Sequence, residues 1–368
     1  MTEPSPLVRA SARWRAIAAG PAVALVILVV AFVCTREVGL PVRDPDHVAA
    51  LYLVLVGLGV VLLVGLDILV RAAQAAGTFP PPREEVGRVR RERWTRTRCL
   101  TAGSALVGFY VSYMAYRNLK SIVPLLRPEV SYDRELAEWD RGLFGGHDPA
   151  ALLHDLLGTG FVAHVLSTAY VAFIVFLPLT IGVSLVFARD LRAGLVYTTA
   201  QSINWLLGAG SYFLLPSLGP IYAEPAAYSA LPASEVTHLQ GVLLDQRVAF
   251  LQDPAGSTPQ AIAAFVSLHI SMSFTAAMAA HLLGAGRRLR IALWTWLGVT
   301  TVGTVYLGWH YFVDDLAGVA LGAVALVLAA VLSGIDLRGL GERSAQRVGR
   351  SEDRGTRTPV PATEPGTR

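Results

Sequence analysis

The sequence predicts an all-α, polytopic membrane protein of about eight transmembrane helices, and three observations carry that reading. Its 368 residues are 53% hydrophobic and only 16% charged, with a mean hydropathy of +0.49. The apolar residues come in long runs rather than with strand or helix periodicity, and a run of about 20 such residues spans a bilayer. Arginines cluster in the gaps between alternate runs, the distribution that marks the cytoplasmic side of a membrane.

Eight candidate spans stand at roughly 17–35, 48–70, 99–118, 157–188, 193–216, 266–284, 291–309 and 314–334. Arg9, Arg13 and Arg15 precede the first, and a dense group from Arg71 to Arg98 follows the second. Arg189 and Arg192 separate the fourth and fifth, and Arg287, Arg288 and Arg290 the sixth and seventh. An even number of spans puts all these groups and both termini on one face, expected to be the cytoplasmic face of the plasma membrane. The net charge of +4 and the pI near 9.2 therefore reflect loop arginines, not nucleic-acid binding. Cys34 and Cys99 fall at opposite ends of their spans, so neither a disulfide nor a cysteine metal site is expected. A cleavable signal peptide is not expected either, because Ile17–Cys34 is long for a signal core and a second span follows closely.

The domain organisation follows from the same runs. Residues 1–16 and 337–368 are polar, rich in Arg, Pro, Thr and Gly, and are expected to be disordered cytoplasmic tails. Residues 17–98 form an accessory transmembrane hairpin and an Arg-rich linker that starts at Pro80-Pro81-Pro82, leaving 99–336 as a six-helix catalytic core. Between spans, Asp133–Phe144 reads as an amphipathic helix on the outer interface, with Leu136, Trp139, Leu143 and Phe144 as its apolar side. Ser217–Ala261 is a long outer segment containing a helix from about Ser234, and is either a lid or an inert cover.

Three polar clusters then fall on the outer face: Lys120-x6-Arg127-Pro128, Ser267-Leu268-His269, and His310-x3-Asp314. The topology rests on arginines alone, yet it places all three at one depth on one side. Ionisable groups at span ends are costly and point to function. His310 and Asp314 share a helix face, where a carboxylate can hold an imidazole tautomer. Lys120 is the only lysine in the chain. Two histidines, one with a carboxylate, beside Lys and Arg suit phosphoryl transfer. Cations hold the non-bridging oxygens, one imidazole attacks phosphorus, and the other protonates the leaving oxygen. That scheme calls for no metal and no cofactor, although imidazole and carboxylate would also suit zinc. The remaining histidines lack such company, and the tryptophans read as packing or interfacial anchors. Asp315 reads as an N-cap of the last span.

These clusters resemble the signature of the type-2 phosphatidic acid phosphatase superfamily: Lys-x6-Arg-Pro, then Pro-Ser-Gly-His, then Ser-Arg-x5-His-x3-Asp. Lys120, Arg127 and Pro128 match the first, Ser267 and His269 the second, and His310 and Asp314 the third. Val266 and Leu268 replace the Pro and Gly, while Gly303 and Thr304 stand where Ser and Arg are expected. Ser-Leu-His followed by Gly-x-His-Tyr-x-x-Asp is similar to the branch of inositol-phosphorylceramide synthases and their bacterial relatives. The resemblance covers about 100–335. It implies metal-independent transfer or hydrolysis at a lipid phosphate or phospholipid, with His310, Asp314 and His269 catalytic and Lys120, Arg127 and Ser267 binding phosphate. A non-enzymatic lipid transporter or lipid-binding protein is the alternative.

Overall fold

A computed structural model describes residues 6–188, 190–259 and 262–336, and all regular elements among them are helical. The first half holds α1 (Pro6–Glu37), α2 (Val48–Ala76), α3 (Arg83–Arg93), α4 (Arg96–Leu126), α5 (Asp133–Leu143), α6 (Pro149–Leu157) and α7 (Phe161–Phe187). Then follow α8 (Leu191–Leu214), α9 (Pro220–Ala223), α10 (Glu235–Gln252), α11 (Leu268–Leu282), α12 (Arg287–Tyr306) and α13 (Phe312–Ser333). Helices stand at all eight expected span positions. Five of them, α1 from Trp14, α2, α4, α7 and α13, are long and apolar enough to cross a membrane.

The other three fall short for visible reasons. α11 has fifteen residues, about 22 Å at 1.5 Å per residue, against roughly 30 Å of hydrocarbon. α12 opens with Arg287, Arg288 and Arg290. α8 is buried along nearly its whole length and carries Gln201 and Asn204 inside the bundle. Gln201 donates to Tyr197 Oη (2.9 Å) and to the Met272 carbonyl (3.1 Å). Asn204 donates to Thr275 Oγ1 (3.0 Å) and accepts from Ser271 Oγ (2.7 Å). The bonds to Met272, Thr275 and Ser271 tie α8 to α11, and inside a membrane each is worth about 0.6–2 kcal/mol.

The first two helices do not form one accessory unit. α1 begins at Pro6, so the expected disordered tail is helical from there; residues 1–5 and 337–368 lie outside the described residues. Ala16, Val23, Ile27 and Ala31 of α1 are buried, and the helix packs against α4, α8 and α13. Arg15 closes the contact by donating to the carbonyls of Val331 (2.6 Å) and Leu332 (3.3 Å). α1 is therefore part of the core. α2 is the peripheral helix, with Leu51, Leu55, Leu58 and Leu62 exposed as a lipid-facing surface would be. Its buried Asp67 is fully engaged, accepting from Arg71, Arg93 and Trp94.

Contacts between connections sort the helix ends into two groups. At one end the α1–α2 connection meets α4 through Arg43–Asn118 and Arg117–Asp46. At the other, Arg93 and Arg98 reach the carbonyls that end α7. The first end also carries α5, α9 and α10. There α11 and α13 cross so closely that a Cβ on Gly318 would sit 2.5 Å from the Ser267 carbonyl oxygen, and one on Gly322 2.5 Å from that of Ser271. Glycine at these positions lets the start of α13 lie directly against the start of α11.

Candidate active site

The start of α13 is fixed before any catalytic group is considered. A helix leaves its first N–H groups without intrahelical acceptors. Here Asp140 of α5 accepts from Phe312 N (2.7 Å) and Val313 N (2.9 Å), capping α13 from another helix. Asp133, two turns earlier on α5, accepts from Leu218 N (2.9 Å), Gly219 N (2.8 Å) and the Tyr311 hydroxyl (3.1 Å). Leu136 and Ala137 pack with Tyr311 between them. α5 is thus helical as expected, but its acidic face points inward, and only Trp139 and Leu143 of its expected apolar side are exposed.

α12 stops immediately before the site. Gly308, with φ +73°, takes the chain out of the helix, and a Cβ there would lie 2.7 Å from the Tyr228 ring. Trp309, His310 and Tyr311 then cross to α13. His310 is 6% exposed, and its Nδ1 lies 3.5 Å from Asp314 Oδ2. That oxygen already accepts from Tyr311 N (3.0 Å), while Asp314 Oδ1 and His310 Nδ1 have no hydrogen-bond partner. With Nδ1 turned to Asp314, Nε2 is the nitrogen on the other side of the ring, and His310 lines a cavity. Burial, and then the Lys120 charge, push the His310 imidazole well below its ordinary pKa, which favours the neutral, nucleophilic form.

His269, the second residue of α11, faces the same cavity, its ring centroid 5.9 Å from that of His310. Tyr170 stacks on it at 4.5 Å, Phe173 lies at 4.4 Å, and Trp309 in turn stacks on Tyr170 at 5.0 Å. The His269 imidazole is thereby held between packed rings. Lys120 of α4 also lines the cavity, with Nζ 5.6 Å from the Tyr212 ring and 6.0 Å from the Tyr116 ring.

The expected site residues are thus only partly gathered. His269, His310, Asp314 and Lys120 come together. Ser267 lies beneath them, fully buried, with its N–H on the Asp314 carbonyl (3.1 Å) and its hydroxyl unpartnered. Arg127 does not line the cavity; its guanidinium donates to the Phe213 carbonyl (2.6 Å), so this geometry lends its expected phosphate role no support. Asp315 is not the N-cap of α13, which is Tyr311. Instead its Oδ2 accepts from the buried Thr304 hydroxyl (2.8 Å). A compact Thr–Asp pair therefore fills the place where the motif would put an arginine. Among the described residues no group of three His, Cys, Asp or Glu side chains is arranged to hold a metal ion.

Sequence reasoning missed Tyr170, and it missed Trp205 and Trp309 as cavity-lining groups whose buried Nε1–H has no partner. Nothing in one sequence marks them. The carboxylates of Asp133 and Asp140 were detectable, because a spacing of seven residues repeats one helix face.

The cavity has a volume of about 340 Å³. Its polar end holds His269, His310 and Lys120, and the rest is lined by aromatic and aliphatic residues including Tyr52, Phe109, Tyr113, Ile174 and Leu177. No curated protein and no solved structure matches the chain. The family model described as PAP2 superfamily matches residues 134–328, more than half of the chain and the part holding both histidines, Asp314 and Ser267 but not Lys120 or Arg127. Membership of that superfamily points to phosphatase or phosphotransferase chemistry on phosphoesters. The chain belongs to the PAP2 superfamily.

Proposed function

We propose that this protein transfers the phosphoryl group, or phospho-head-group, of a lipid phosphoester at the outer face of the membrane, through a phosphohistidine-type intermediate. The observation that carries the reading is the pair of facing imidazoles beside Lys120 at the polar end of an otherwise apolar cavity. In the first step the Nε2 lone pair of His310 attacks phosphorus, and the P–O bond to the leaving group breaks. Protonated His269 gives its proton to the departing oxygen. Asp314, beside Nδ1, favours the tautomer with the proton on that nitrogen and stabilises the charge that the ring gains. In the second step neutral His269 takes a proton from water or a lipid alcohol, whose oxygen attacks phosphorus as the P–N bond breaks.

Two features support a lipid substrate. The cavity lining is mostly apolar, as an acyl or polyprenyl chain requires. Ile174 both lines it and is 49% exposed, so the cavity wall reaches the outside of the bundle, where lipid would lie. The arginine distribution supports an outward-facing site in the plasma membrane, with both termini cytoplasmic. The Ser-Leu-His and Gly-x-His-Tyr variants support likeness to the inositol-phosphorylceramide synthase branch, with a lipid alcohol as acceptor.

The test is turnover by purified protein on a panel of lipid phosphates and phospholipids, with and without an added lipid alcohol. Phosphate release or a new phosphodiester in wild type, absent from His310→Ala, is expected. A wild-type protein inert on the whole panel sinks the enzyme reading in favour of lipid binding or transport.

A further inference from the structure

α10 passes over the cavity with one face turned inward. Leu239 and Leu243, one turn apart, line the cavity, and the next position on that stripe is Arg247. Three residues on, buried Phe250 packs with Ile122 of α4 and against Phe213, which pins the end of α10 over the part of α4 that carries Lys120. The rest of the helix is anchored as well: Val236 N donates to Ser167 Oγ (3.1 Å), and Gln240 Nε2 to the Leu307 carbonyl (2.9 Å). Arg247 is not itself a cavity-lining residue; it sits one turn beyond Leu243 on a fixed element, between the cavity stripe and the end of α4. Unlike that of Arg127, its guanidinium is not held by a backbone carbonyl among the described residues.

The charges of Arg247 and Lys120 are close enough to repel. Among the described residues neither cation makes a hydrogen bond or an ion pair. Lys120 rests only over the Tyr116 and Tyr212 rings. The carboxylate within electrostatic reach of Arg247 is Asp133, already taken by two backbone N–H groups and the Tyr311 hydroxyl. Two like charges beside an apolar cavity are unfavourable unless an anion joins them.

Resting on the proposed function, we infer that Arg247 is the second phosphate-holding cation, carried by the covering helix rather than by a span. We infer further that the Lys120–Arg247 pair favours a terminal phosphomonoester over a phosphodiester. A monoester carries about −1.5 to −2 charges near neutral pH, and two cations match it. A diester carries a single negative charge and needs only one. The chemistry recognised is the dianionic phosphate, whether at the end of a lipid or free in solution.

The experiment uses the purified full-length chain in detergent micelles as wild type, Arg247→Gln, Arg247→Lys and Arg134→Gln. Arg134 is a surface control, 82% exposed and paired only with Glu138. Three quantities are read: the shift in thermal unfolding with added inorganic phosphate, its inhibition constant, and KM and kcat for a short-chain lipid monophosphate. Arg247→Gln is expected to abolish most of the phosphate-dependent shift. It should raise both the inhibition constant and KM about ten- to a hundredfold, with kcat changed less. Arg247→Lys should recover part of this, Arg134→Gln should match wild type, and affinity for a phosphodiester lipid competitor should fall less. An Arg247→Gln protein with wild-type phosphate response overturns the assignment. So does one that is merely less stable and not improved by lysine, or a wild type with no phosphate-dependent shift. Equal losses for monoester and diester overturn the selectivity. A wild type stabilised by phosphate through Arg247 but inert on every lipid would refute the proposed function and leave Arg247 as an anion site.

Discussion

Asp133 and Asp140 on α5, and Asp314 and Asp315 on α13, are two pairs of buried carboxylates at the same end of the bundle, and they differ in how their oxygens are matched. Both oxygens of Asp133 and of Asp140 accept backbone N–H groups. In the α13 pair one oxygen of each carboxylate has a donor and the other, Oδ1, has none. Beside them His310 Nδ1 and the Ser267 hydroxyl are also unmatched. A buried polar group without a partner costs about 1–3 kcal/mol, so four together mark a place where stability has been given up for something else. The α5 pair builds the frame, and the α13 pair with His310 is what the frame holds in position.

That contrast can be broken most directly at His310. His310→Ala should lower turnover on the preferred phosphoester on the order of 10³-fold or more, as loss of a nucleophile does. Thermal unfolding should move by no more than the cost of the cavity left behind, about 1–3 kcal/mol, because Nδ1 has no hydrogen-bond partner to lose. A variant that loses activity only in proportion to lost folded protein would show that His310 belongs to the frame. Asp133→Ala should behave in the opposite way. It strands the N–H groups of Leu218 and Gly219 and the Tyr311 hydroxyl, at a cost of about 2–4 kcal/mol. Turnover per folded molecule should stay within a few-fold of wild type, and a larger loss at unchanged stability would place Asp133 in the chemistry.

Much of this site was legible in the sequence, and the remainder was hidden for identifiable reasons. Arginine placement and hydropathy located helices at eight positions and put His269, His310 and Asp314 at one end, because membrane crossing couples distant residues to a common depth. Local spacing could not say that Arg127 turns to Phe213, since that depends on the end of α8, nearly ninety positions away. Nor could it say which side of α5 faces inward. Leu136 and Asp140 are neighbours on one face, so the helix buries a mixed stripe whose value lies in capping α13. Arg247 was passed over for the same reason: its significance comes from Lys120, brought near by packing of Phe250 on Ile122. The packing of α1 is invisible in the sequence because it rests on small residues, Ala16, Ala24 and Ala31, which look like ordinary span residues until their partners are known.

Asp314 joins the frame to the chemistry, since Oδ2 both caps Tyr311 N and approaches His310 Nδ1. Asp314→Asn keeps an acceptor for Tyr311 and removes the charge that would stabilise a phosphorylated imidazole. Turnover should fall about ten- to a hundredfold, roughly 1.4–2.7 kcal/mol in the barrier, while thermal stability changes by less than about 1 kcal/mol. Rate and stability falling together would mean that Asp314 serves only as a cap.

Thr304 offers the smallest and most selective test. Its hydroxyl donates to Asp315 Oδ2 (2.8 Å), and the residue is fully buried. Thr304→Val preserves shape and removes the donor to Asp315 Oδ2. A cost of about 1–2 kcal/mol in thermal unfolding is expected, with Thr304→Ser close to wild type. Because the Asp315 carboxylate is bonded to Thr304 and not to His310, turnover should change by no more than a few-fold. If Thr304→Val is as stable as wild type, Asp315 is held otherwise, and the Thr–Asp pair does not stand in for the arginine that the motif would place there. If instead turnover collapses at unchanged stability, Asp315 moves from the frame to the reacting groups, and the α13 carboxylates act as a pair.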